Sequence, residues 1–144
     1  MIEFAFTTEV ARPPHEVFAY LSDPEKLYEW QGTAEVVKLT DGPVGEGTRF
    51  REVHERMGRR IESVTEVSAY EPDRRFDIRI VEGPLPVDGR WDLEPAGAGS
   101  RIRFAATGRA RGPMRILEPL LRRFLERQFR RDHERLRQAL ESRP

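Results

Sequence analysis

The last third of the chain restricts its fold most. After Gly112-Pro113 the pattern turns helical, and Leu117, Leu120, Leu121, Phe124, Leu125, Phe129, Leu136 and Leu140 recur as a stripe with Arg and Glu between them. The spacing predicts a helix of roughly 25 residues, about 38 Å long at 1.5 Å per residue. A helix of that length cannot bury an apolar stripe alone, so another layer of the chain must receive it.

Strands supply that layer. Ile2, Phe4 and Phe6 alternate with Glu3, Ala5 and Thr7, the period-2 signature of a strand with one buried face. Pro13 and Pro14 open a short helix carrying Val17, Phe18 and Leu21, which Ser22-Asp23-Pro24 ends. Asp23 caps a second, with Pro24 first and Glu25 in its first turn, bearing Leu27, Tyr28 and Trp30 until Gly32 stops it. Strand patterns then cover Glu35 to Leu39, Thr48 to Arg56, Arg60 to Tyr70, Phe76 to Val81, Val87 to Leu93 and Ser100 to Thr107, separated by Gly, Pro and Asp. Short connections favour an antiparallel meander. The expectation is one α+β domain over residues 1–144: about seven antiparallel strands curved around the terminal helix, with two short helices after strand one and no repeat or linker.

Composition narrows function by exclusion. With 25 basic and 25 acidic side chains the net charge is +0, so no global field draws in nucleic acid or an anionic membrane, and no nucleic-acid partner is expected. The chain has 0 cysteines, which removes disulfides, thiolate zinc sites and a Cys nucleophile together. His15, His54 and His133 lie on different elements without a metal-binding spacing, and no Ser sits in a Gly-x-Ser-x-Gly elbow, so neither metal nor cofactor is implied. The loop Asp41-Gly42-Pro43-Val44-Gly45-Glu46-Gly47 is glycine-rich but lacks Gly-Lys-Ser/Thr and leads into a strand, unlike a nucleotide loop. The N-terminus has neither a basic region nor a continuous apolar run, and no stretch approaches the ~20 apolar residues of a spanning helix. The expectation is a cytoplasmic protein, monomer or homodimer, without stable membrane insertion.

Specific runs carry a resemblance. Ala11-Arg12-Pro13-Pro14-His15-Glu16-Val17-Phe18 leads to Leu21-Ser22-Asp23-Pro24-Glu25-Lys26-Leu27-Tyr28-Glu29-Trp30. Gly45-Glu46-Gly47-Thr48-Arg49-Phe50, Tyr70-Glu71-Pro72-Asp73-Arg74-Arg75-Phe76 and Gly99-Ser100-Arg101-Ile102 follow. Together they make the chain resemble the START and birch-pollen-allergen-like superfamily, in its bacterial polyketide cyclase/dehydrase and lipid transport (SRPBCC) branch. The resemblance covers essentially the whole chain and implies a helix-grip fold with an internal cavity. Its members bind lipids, hormones, quinones or polyketides, and a few are cyclases, so it implies a small apolar ligand without naming one.

Alternation then nominates the cavity wall. On the strand from Thr48, residues two apart share a face, so Phe50, Glu52 and His54 point inward together. A carboxylate beside an imidazole suits acid-base catalysis. Alternatively both groups reach water or pair with Arg49, Arg51 or Arg56. Thr65, Ile78, Trp91 and Phe104 fall on the inward sets of the later strands, with Phe124 on the helix stripe. Tyr20, Tyr28 and Trp30 lie on the short helices that the resemblance puts near the cavity entrance, where aromatics cover an apolar ligand. Three readings follow: a carrier of a largely apolar molecule, an enzyme moving protons with Glu52 and His54, and an interaction protein using the Arg-rich final helix.

Overall fold

The computed structural model describes residues 1–56 and 58–144. The order is β1 (Ile2–Val10), α1 (Pro14–Leu21), a 3-10 turn (Pro24–Lys26) running into α2 (Leu27–Trp30), then β2 (Glu35–Lys38), β3 (Arg49–Arg56), β4 (Arg59–Glu71), β5 (Arg75–Glu82), β6 (Val87–Ala96) and β7 (Gly99–Gly108). A 3-10 segment (Gly112–Leu117) precedes α3 (Glu118–Glu141).

All seven strands form one sheet in the order β1-β7-β6-β5-β4-β3-β2, every pairing antiparallel. Strands β2 to β7 are therefore a meander, as short connections favour, and β1 returns to pair with β7 from Ile2↔Gly108 to Val10↔Ser100. Curvature comes from β4, whose pairing with β5 shifts register between Val64 and Thr65 and again between Val67 and Ala69. Such irregularities bend a strand and increase its twist, and here they curl the sheet around α3. The helix boundaries follow local chemistry: Asp23 accepts a hydrogen bond from Glu25 N–H at 3.0 Å, and Pro14 opens α1. Gly99 is needed for close approach, since a Cβ there would lie 2.4 Å from the Val10 carbonyl oxygen.

The two halves of α3 meet the sheet differently. Asp132, His133, Leu136 and Leu140 in its second half are buried, the two leucines at 0% exposure. In the first half Leu121, Leu125 and Phe129 are partly buried, while Leu120, Phe124 and the preceding Leu117 are exposed. The expected eight-residue stripe is thus corrected. At about 100° per residue Leu120 falls nearly opposite Leu136, so both cannot face the same sheet. Glu126 pairs with Arg130 (3.2 Å) and also with Arg122 (2.9 Å), whereas Glu118 meets the Met1 ammonium (2.7 Å).

Hydrogen bonds clamp the second half. Trp91 Nε1–H donates to His133 Nε2 at 2.9 Å, and His133 Nδ1–H donates to the Phe129 carbonyl at 2.6 Å. Phe6 and Phe104 flank the imidazole with centroids at 4.9 and 5.0 Å. Arg12 Nε and Ala11 N–H donate to the Leu140 carbonyl and the Glu141 carboxylate, each at 2.9 Å, tying the end of α3 to the end of β1.

Unequal packing gives unequal energetics. Leu136→Ala is expected to lower unfolding free energy by about 3 kcal/mol, from lost burial plus a cavity, while Leu120→Ala changes it by less than about 0.5 kcal/mol. Urea denaturation of the two variants checks this, and equal losses would contradict the asymmetry.

Candidate functional site: an internal cavity

Where the first half of α3 stands off the sheet, it roofs a cavity of about 420 Å³. Period-2 alternation builds the wall: β3 supplies Phe50, Glu52 and His54, β4 Ile61, Ser63 and Thr65, β5 Phe76, Ile78 and Ile80, β6 Val87, Gly89 and Trp91, and β7 Phe104. Leu121, Phe124, Leu125, Gln128, Phe129 and Asp132 of α3 face them, and Leu27, Trp30 and Gln31 close one side. Gly89 keeps the floor low, because a Cβ there would crowd Ile78, Phe104 and Trp91 at 3.3 to 3.4 Å.

Most of this wall is apolar, and five of its polar residues, Glu52, His54, Arg56, Ser63 and Thr65, lie on β3 and β4. Glu52 is buried, accepting from Thr65 Oγ1–H at 2.6 Å and lying 3.4 Å from His54 Nε2. It pairs with neither strand neighbour: Arg49 meets Glu66 at 2.7 Å and Arg51 meets Glu35 at 3.5 Å. Odd-numbered residues of β3 project to the other face, which puts those arginines out of reach. Arg56 follows His54 on the inner side and lines the same cavity. Two buried polar atoms of wall residues, His54 Nδ1 and Trp30 Nε1, have no hydrogen-bond partner among the described residues.

A second carboxyl faces this cluster from the helix. Asp132 is buried and accepts from Gln128 Nε2 (2.9 Å) and Arg135 Nη1 (3.3 Å). Burial pushes its pKa up to about 6, against the Gln128 hydrogen bond and the charges of Arg135, Arg56 and His54. Next to it, burial takes His133 down to about 4, opposed by its bond to the Phe129 carbonyl. The imidazole is therefore neutral, with its proton on Nδ1 and its Nε2 lone pair turned to Trp91.

Of the residues singled out in the sequence, Glu52, His54, Phe50, Thr65, Ile78, Trp91, Phe104, Phe124 and Trp30 meet around this space. Tyr20 and Tyr28 do not, and the expectation that they form a mouth is corrected. Tyr20 is buried, donates to Glu29 Oε1 at 3.0 Å, and carries the Arg143 guanidinium 4.9 Å above its ring. Burial and the Glu29 contact push its phenol pKa up, and it acts as a lock between α1, α2 and the C-terminus. Tyr28 is half-exposed and accepts from Val36 N–H at 2.8 Å, fastening α2 to β2. Sequence reasoning misses Asp132 and Gln128, although the spacing from Leu121 through Leu125 and Gln128 to Asp132 holds one helix face.

Among the described residues, no group of three or more His, Cys, Asp or Glu is placed to hold a metal ion, and no helix is long and apolar enough to cross a membrane. A curved antiparallel sheet gripping a terminal helix over an apolar cavity defines a helix-grip domain. The chain belongs to the polyketide cyclase / dehydrase and lipid transport family, whose model matches residues 1–141.

Solved structures agree on the fold. Ara h 8.0201 is 17% identical with a TM-score of 0.80, covering 98% of each chain. A START superfamily protein from Mycobacterium smegmatis is 16% identical with a TM-score of 0.83, over 96% of this chain and 97% of that one. The di-domain ARO/CYC StfQ from the steffimycin biosynthetic pathway is 16% identical with a TM-score of 0.81, over 97% of this chain and 51% of that one. At such identities the likeness is one of fold. No curated protein sequence matches the chain.

The raised Asp132 pKa has a signed consequence. Unfolded, this carboxyl ionises near 3.8; folded, near 6, so the folded state binds the proton more tightly and its contribution to stability falls as pH rises between those values. Asp132→Asn keeps an oxygen for Gln128 and Arg135 and removes the titration. Its stability relative to wild type should therefore climb from pH 4 to pH 6, by up to about 3 kcal/mol, then stay level. Denaturant titrations across that range test it, and a difference independent of pH would refute the assignment.

Proposed function

We propose that the protein binds and carries a small, largely apolar molecule, lipid, polyketide or quinone-like, inside this cavity. The observation that carries the reading is the cavity itself: about 420 Å³ of space under α3, with mostly apolar walls and polar groups from β3, β4 and α3. That volume lies within the ~300 to 1,000 Å³ of small-molecule sites, where apolar burial supplies affinity at about 25 cal/mol per Å² and a few polar groups set orientation. His54 Nδ1 and Trp30 Nε1 are suited to a ligand oxygen or hydroxyl, because an unpaired buried polar atom costs about 1 to 3 kcal/mol. Family membership and fold fit this chemistry.

A second reading has one specific observation behind it. Glu52, His54 and Asp132 bring two carboxyls and an imidazole to the cavity from two elements. If the ligand is a poly-β-carbonyl chain, His54 with Glu52 behind it is placed to move a proton during cyclisation or dehydration. StfQ, a fold neighbour, is an ARO/CYC of a biosynthetic pathway, which is compatible with such chemistry on this scaffold. Carriage is preferred because Glu52 spends its short hydrogen bond on Thr65; the imidazole stands 3.4 Å away. A general base works within about 2.6 to 3.2 Å of the proton it takes from substrate, a contact that closes when substrate is bound, so turnover and not this distance separates the two readings.

Both readings are open to test. A fluorescent apolar probe should bind saturably at one site per chain, and Ser63→Phe, which puts a ring into the cavity from β4, should weaken that binding at least ~10-fold while the variant still melts cooperatively. Unchanged affinity in the folded variant would remove the cavity as the binding site. For catalysis, wild type and His54→Ala are incubated with polyketide, lipid and quinone-like compounds and read by mass spectrometry. Carriage predicts no product from either, and product from wild type alone establishes the enzyme.

A further inference from the structure

Among the described residues, folding leaves a run of apolar side chains in water. Met114, Ile116, Leu117, Leu120 and Phe124 are 47, 84, 43, 64 and 48% exposed, all between the end of β7 and the first turns of α3. Isolated exposed apolar side chains are ordinary, but a contiguous group of this kind marks an interaction site. Leu120, Phe124 and the arginines at 123 and 127 share one helix face at i, i+3, i+4 and i+7.

Charge surrounds it. Arg109, Arg111, Arg115, Arg123 and Arg127 are exposed, and none has an ion pair among the described residues. The two acids of this stretch are already matched, Glu118 by the Met1 ammonium and Glu126 by Arg122 and Arg130. A chain with net charge +0 thus presents a local positive field around these exposed apolar side chains. Arg111, Met114 and Phe124 also line the cavity, so this surface is continuous with the cavity rim.

We propose that this surface docks the protein peripherally on an anionic lipid bilayer, with the rim of the cavity against the membrane. A bilayer satisfies both halves of the surface at once: side chains such as Ile116 and Leu120 enter the acyl boundary while guanidiniums meet lipid phosphates. A second copy of the chain would bring arginine against arginine, and it fits the charge poorly. The proposal needs the exposed surface and does not depend on what occupies the cavity.

Co-sedimentation with vesicles tests it. Wild type should bind vesicles of phosphatidylcholine mixed with phosphatidylglycerol, bind phosphatidylcholine alone far more weakly, and come off as salt is raised. Ile116→Asp with Leu120→Asp, and separately Arg115→Glu with Arg123→Glu, should each lower partitioning at least ~10-fold. These four residues lie outside the cavity wall, so both variants should keep wild-type affinity for the apolar probe, which separates failure of docking from failure of the carrier reading. Three results would overturn the proposal: no binding to the mixed vesicles, equal binding to both kinds, or variants that bind as wild type does. A dimer that the Ile116→Asp, Leu120→Asp pair dissociates, with no vesicle binding, would instead assign the surface to a second copy.

Discussion

The hydrogen bond from Trp91 to His133 is the contact around which the rest of the architecture is arranged. It joins β6 to the second half of the last helix at 2.9 Å, and the imidazole is held from behind by the Phe129 carbonyl. An ordinary hydrogen bond contributes about 1 kcal/mol net, but removing either partner here strands a buried polar group at a cost of about 1 to 3 kcal/mol. The Phe129 bond lies within the helix and fixes the ring upon it, so the Trp91 bond sets the rotation and height at which this turn of α3 meets the sheet. That height sends Leu136 and Leu140 into full burial and leaves the earlier turns standing away from the strands. The cavity is the space left under those turns.

The same fixed rotation explains where polarity sits. Asp132 adjoins His133 in the chain and faces the cavity beside it, so the geometry that buries the imidazole also brings a carboxyl opposite Glu52 and His54. Apolar walls from β5 and β6 surround the remainder. A ligand lying there has a polar end and an apolar body imposed on it by position. The bulges in β4 matter for the same reason, since a flat strand would not carry Ile61, Ser63 and Thr65 around the same space as Phe104.

Much of this is legible in the sequence because strand alternation is a local signal. Phe50, Glu52 and His54 share a face whatever the rest of the chain does, and each of the seven strands falls within a few residues of its expected span. The helix is less legible. Leu117 and Leu120 belong to the apolar stripe by hydrophobicity but not by angle, and angle decides which of them can reach the sheet. Asp132 and Gln128 escape a reading of the sequence because a polar residue on an amphipathic helix ordinarily faces water, and only tertiary packing turns this pair inward. Tyr20 and Tyr28 look alike in sequence, yet one is buried against Glu29 and the other bridges to Val36 on the surface. Their fates depend on how the short helices lean, which no periodicity encodes.

The central claim is that an apolar molecule enters the space beneath the first half of α3. Titrating an apolar probe into isotopically labelled protein, and following amide and methyl resonances, measures this residue by residue. Cavity binding predicts saturable shifts at Ile61, Ser63, Ile78 and Leu125, with Leu136 and Leu140 unmoved because their half of the helix is sealed to the sheet. Shifts confined to the outer face at Ile116 and Leu120, with the cavity residues silent, would contradict it.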